Sequence, residues 1–112
     1  MALTAQLETV NNVAKITLSG RLDASTANQF RDLIEQAATQ KVKAAALLLK
    51  DLEYMASAGL RILVFARQKM GVGVKIYVVA PQELVRETIE ISGFSQAVVL
   101  LPDYDTARIE GQ

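Results

Sequence analysis

Ser57 is the residue whose surroundings most suggest chemistry. It stands between Ala56 and the pair Ala58-Gly59, so its hydroxyl lies in a stretch with almost no side-chain bulk. Another protein's active site could approach such a hydroxyl closely. A phosphate placed there adds about −1.5 to −2 charges at pH 7, and the free N–H groups and dipole of a helix N-terminus accommodate it without melting the helix. The fold would survive while the surface changed, as a switch of partners requires, because like-charge repulsion and desolvation can weaken an interface with no rearrangement. Serine is equally a favoured N-cap, and its small neighbours suit tight packing on a sheet. From spacing alone both readings stand. Glycine inside a helix costs roughly 1 kcal/mol relative to alanine, so Gly59 in the first turn implies that something comes near the backbone.

The remaining candidates are weaker. Asp23, Asp51 and Glu53 offer the oxygen ligands a magnesium ion takes, but their positions suit helix caps and solvated loops better. With no histidine and no cysteine, the chain has no imidazole base to activate a serine, no thiolate and no disulfide. No lysine falls predictably beside Ser57. No catalytic residue, metal or cofactor is therefore expected, and the chain reads as a binding module instead of an enzyme. Its 12 basic and 12 acidic residues cancel and the basic ones are dispersed, which removes the footprint that nucleic-acid binding needs. The longest apolar run, Ala44 to Leu49, is far short of the roughly 18–20 residues that insert into a bilayer, and the N-terminus lacks a basic segment followed by an apolar one, so a cytoplasmic protein is expected.

Positioning Ser57 and Asp23 is the task of the elements around them. The 112 residues suffice for one domain, residues 1–112. Leu3, Ala5 and Leu7 alternate with polar neighbours, as do Ala14, Ile16 and Leu18, and Asn11-Asn12 between them predicts a tight hairpin. From Thr26 the period becomes helical through Ala27, Phe30, Ile34, Ala37 and Ala38, with Thr26 and Gln29 in the form of a capping box, to about Thr39. Ala44 to Leu49 reads as a central strand covered on both faces, followed by a loop from Lys50 to Ser57. A second helix is expected from Ala58 to Met70, capped by Ser57, with Leu60, Leu63, Val64 and Met70 inward; Ile62 and Phe65 fall off that stripe and suit either a docking surface or packing under a loop. Val74 to Val79 is a further strand. Pro81 opens a third helix with Leu84, Val85, Thr88 and Ile89 inward until Gly93, Ala97 to Leu101 is a last strand, and Asp103 caps a tail helix to about Ile109.

The order β-β-α-β-α-β-α-β-α specifies an α/β fold with a mixed, mainly parallel sheet and right-handed crossovers. Function in such sheets collects in loops at the carboxyl ends of strands. Two of these, Gly20 to Ser25 and Lys50 to Ser57, bring Asp23 near Ser57 if their strands are neighbours.

The stretches Ile16 to Ala27, containing Ser19-Gly20-Arg21-Leu22-Asp23-Ala24-Ser25-Thr26, and Leu52 to Arg61, containing Met55-Ala56-Ser57-Ala58-Gly59, resemble the two signature segments of the STAS domain, the fold of bacterial anti-sigma factor antagonists. Val85 to Phe94 resembles its third helix and turn. The resemblance covers nearly the whole chain without insertions. It implies a partner-switching protein that binds an anti-sigma factor, usually a serine kinase, and so frees a sigma factor; the kinase inactivates the antagonist by phosphorylating one serine and a serine phosphatase restores it. The phosphoacceptor carries over to Ser57, two residues before Gly59, and the family's neighbouring acid to Asp23. The partner-binding set then comprises Asp23, Ser25, Thr26, Ala56, Ala58, Gly59 and Arg61. This chain has Ala56 where the family commonly has Asp or Ser, and Leu48 where an acidic residue is common. These departures keep a second expectation open: a STAS subunit of a transporter or signalling scaffold that is not phosphorylated.

Overall fold

The computed structural model describes residues 3–71 and 73–111. A hairpin opens the fold: β1 (Thr4–Val10) runs antiparallel to β2 (Val13–Leu22) around Asn11 and Asn12, whose φ values of 51° and 63° are the left-handed pair a two-residue turn demands and asparagine tolerates. Then follow α1 (Ala27–Thr39), β3 (Ala44–Met55), α2 (Ser57–Met70), β4 (Lys75–Val79), α3 (Glu83–Ile91), a 3-10 turn (Phe94–Gln96), β5 (Val99–Leu101) and α4 (Thr106–Glu110).

The sheet order is β1-β2-β3-β4-β5, with β2 through β5 parallel, so the expected mixed, mainly parallel α/β architecture is present. Each crossover steps the same way across the sheet, and with right-handed connections that places α1, α2 and α3 on one face. Phe30, Ile34, Leu63, Val85 and Ile89 of those helices pack on Ile16, Leu18, Leu47, Leu49, Ile76 and Val78. The other face, Val13, Ala44, Ala46, Tyr77, Val79 and Leu101, is covered by Tyr104 and Ile109 of the C-terminal segment. Hence β3 is apolar without alternation: both its faces are buried.

Several expectations need correction. The segment from Lys50 is strand, not loop: β3 continues to Met55 beside β2, with Leu52 and Met55 buried, whereas β4 ends at Val79 opposite Leu48. Two register shifts against β2 each put an extra residue on β3, between Leu48 and Asp51 and between Leu52 and Tyr54, and they break the alternation that would have announced this extension. Thr26 forms no capping box; its buried hydroxyl accepts from the Asp23 N–H (3.0 Å) and donates to the Arg21 carbonyl (2.9 Å). α2 begins one residue early, with Ala56 as N-cap and Ser57 in the first helical position. Its inward stripe is Gly59, Ile62, Leu63 and Ala66, so Ile62 is core while Val64 is exposed. The nine-residue α3 starts after Gln82 and turns only Val85 and Ile89 fully inward; Leu84 faces solvent. Asp105 caps α4 in place of Asp103, accepting from the Arg108 N–H at 3.1 Å. Among the described residues no helix is long and apolar enough to cross a membrane.

Candidate functional site

The last rung between β2 and β3 sets the site. Ala56 N–H donates to the Leu22 carbonyl at 2.8 Å, so the two chains leave the sheet side by side, one into Asp23 and the other into Ser57. The adjacency expected from neighbouring strands is thereby met in the backbone.

Asp23 folds the first exit into a tight turn. Its Oδ1 accepts from the Ser25 N–H (3.0 Å) and the Ser25 hydroxyl (2.7 Å), while its carbonyl accepts from the N–H groups of Thr26 (3.1 Å) and Ala27 (2.9 Å) and thereby starts α1. The Ser25 hydroxyl is the main cause that holds the Asp23 carboxyl below its ordinary range, with the Ser25 and Thr26 backbone and the Thr26 hydroxyl adding to it against partial desolvation. A carboxylate fixed in this way stays charged at neutral pH.

Gly59 explains the second exit. A Cβ there would lie 2.7 Å from Leu22 Cδ2 and 3.0 Å from Met55 Cγ, so only glycine lets the first turn of α2 sit down on the ends of β2 and β3. What approaches the backbone is the chain's own core. Ser57, on the opposite side of that turn, is exposed, and among the described residues its hydroxyl has no hydrogen-bond partner. It caps nothing: the capping position belongs to Ala56, whose methyl cannot accept a bond.

The expected partner-binding residues divide by exposure. Asp23, Ser25, Ala56, Ser57, Ala58 and Arg61 keep accessible surface. Thr26 and Gly59 are buried and act from beneath, holding the Asp23 turn and the helix seat. Asp23, Asp51 and Glu53 do not form a metal cage; among the described residues no group of three or more potential ligands comes together.

One feature was invisible to spacing. Leu60, Arg61 and Val64 of α2 face Gly93, Phe94 and Ala97 across an open apolar groove of about 470 Å³ that continues the Ser57 side of the helix. The inward placement expected for Val64 hid it, and the signal left in the sequence was the Ser92-Gly93-Phe94 turn, where Gly93 takes φ 82°. Across the strand ends, Arg21 lies over the Tyr54 ring at 4.2 Å, on residues paired between β2 and β3.

Comparison with known proteins agrees with this architecture. The family model of the STAS domain matches residues 4–107. RsfB of Mycobacterium tuberculosis, an anti-sigma-F factor antagonist, is 28% identical over 95 residues, which cover 85% of this chain and 78% of that protein. The crystal structure of an anti-sigma factor antagonist from Mycobacterium paratuberculosis superposes with a TM-score of 0.87 at 27% identity, covering 96% of this chain and 92% of the other. The anti-sigma factor antagonist SpoIIAA in its unphosphorylated form shares the fold at a TM-score of 0.80 and 23% identity, over 97% and 98% of the two chains. With nearly its whole length matched by the family model and its fold shared with these antagonists, the chain belongs to the STAS domain family.

Proposed function

We propose that this protein is an anti-sigma factor antagonist. It binds an anti-sigma factor that is also a serine kinase, through the Asp23 turn and the start of α2, and so releases a sigma factor. Phosphorylation of Ser57 ends the complex: the γ-phosphoryl of ATP passes to the serine oxygen, ADP leaves, the hydroxyl proton is lost to solvent or base, and a serine phosphatase reverses the mark by hydrolysis. The observation that carries this reading is the exposed, unbonded Ser57 hydroxyl at the first position of α2, beside a carboxylate-bearing turn and a shallow apolar groove. The similarity to RsfB and the Mycobacterium paratuberculosis antagonist supports the partner class.

The added charge sits where the helix dipole tolerates it, so the switch acts on the surface and leaves the fold in place. Ser57→Asp should weaken binding to the anti-sigma factor by tenfold or more in calorimetry while the melting temperature stays nearly constant. Incubation with ATP and the cognate kinase, followed by mass spectrometry, should place the phosphate on Ser57. Modification elsewhere, or equal binding by Ser57→Asp and the parent, rejects the switch.

A further inference from the structure

We infer that Arg61 is the intramolecular receptor for a phosphate on Ser57, so that modification withdraws a docking cation as well as adding negative charge. The inference rests on Ser57 being the modified residue. Ser57 and Arg61 are four residues apart in α2, the spacing that puts two side chains on one helical face with Cβ atoms roughly 5–6 Å apart. Side chains on a helix lean towards its N-terminus, so the long Arg61 side chain covers the turn before its own Cα, which is the turn that carries Ser57.

Arg61 is also available. It is exposed, and among the described residues it has neither a salt bridge nor a hydrogen bond. The other arginines nearby are engaged: Arg21 over Tyr54 at 4.2 Å and Arg31 over Phe65 at 4.5 Å. The acidic groups on the adjoining segments, Asp23 on the turn after β2 and Glu53 on β3, repel a phosphate, whereas Arg61 supplies a cation on the helical face of Ser57 itself. A guanidinium meets a phosphate with paired N–H donors, a stronger and more directional contact than a carboxylate pair at the same spacing.

In the unmodified protein Arg61 stands on the rim of the groove with Leu60 and Val64, open to a partner. Phosphorylation recruits it towards the first turn. One chemical event then changes the charge at two places on the same helical face.

Phosphoserine installed at position 57 during translation of the full chain tests this without any kinase, so a negative kinase assay would count against the modification in the cell and not against this pairing. The second ionisation of the phosphate is followed by phosphorus NMR in the parent, Arg61→Gln, Arg61→Lys and Arg21→Gln chains, with circular dichroism confirming that each is folded. The expected result is a pKa higher by about half a unit in Arg61→Gln than in the parent, about a threefold change in the dissociation constant. Arg61→Lys should fall between them and Arg21→Gln should match the parent. The difference should close in about 1 M salt, where the screening length is about 3 Å. Equal pKa values in the parent and Arg61→Gln, or an equal shift in Arg21→Gln, overturn the inference.

Discussion

At the scale of single residues, Gly59 and Asp23 make the site by opposite means, one through a missing side chain and the other through a saturated one. Gly59→Ala gains helix propensity of about 1 kcal/mol but drives a methyl into Leu22, a fully buried side chain with little room to move. Overpacking of that kind costs about 1–3 kcal/mol, so a net loss of about 1 kcal/mol is expected in urea unfolding, and the loss should shrink in a Leu22→Val background. A gain in stability would mean that α2 is not seated on β2. For Asp23 the folded-state pKa lies below its ordinary value near 3.8, so its contribution to stability is present above that value and lost as pH falls through the lower folded value. The Asp23→Asn variant should accordingly be less stable than the parent at pH 7, with the gap narrowing as pH falls below about 3.8, read as urea midpoints across that range. Ser57, Asp23 and Gly59 were all legible as residues of interest, because small neighbours and a lone acid stand out in a string. Packing of these small residues on the sheet was one of the two readings; which side chain Gly59 makes room for was not legible, since Leu22 is far away in sequence.

At the scale of elements, the hairpin and the alternation of strands with helices were readable from period and turn chemistry, and the chain adopts them. The failures cluster where two patterns overlap. Lys50, Asp51 and Glu53 suggested a loop because β3 outruns β4 there, leaving those side chains in solvent while Leu52 and Met55 stay buried against the helical layer. α2 misled in another way: apart from Arg61 every residue from Leu60 through Phe65 is apolar, so the period alone did not separate the stripe that faces the sheet from Val64. An engineered helix cap supplies a check on the observed start of α2. Ala56→Asp should stabilise the protein by about 1 kcal/mol in thermal unfolding, because a carboxylate at the N-cap accepts from a free N–H of the first turn. No stabilisation would argue that α2 begins later, with Ser57 itself as its cap.

At the scale of the whole molecule, the two faces of the sheet are held very differently. Three helices cover one, while the other depends on a C-terminal segment whose Ile109 is fully buried and whose Glu110 is pinned by Tyr104 (2.5 Å), Asn11 (2.8 Å) and Lys15 (3.6 Å). The Tyr104 hydroxyl is the first cause that keeps the Glu110 carboxyl below its usual range, and burial with that same contact pushes the phenol upward. Ile109→Ala should cost about 2–4 kcal/mol and expose apolar sheet surface around Tyr77 and Val79, detected as dye binding together with a lowered urea midpoint. An unchanged midpoint would show that this segment contributes nothing to the fold.

Because β1 to β5 follow one another in space as they do along the chain, no strand has to thread between two that are already paired. During synthesis each newly emerged strand can close on the open edge left by its predecessor, and the crossover it completes shelters the growing layer at once. The Asp23 turn and Ser57 are thus brought together once β3 and α2 are out of the ribosome, the groove is completed when Gly93 to Ala97 follow, and the short α4 comes after β5 to shut the bare side.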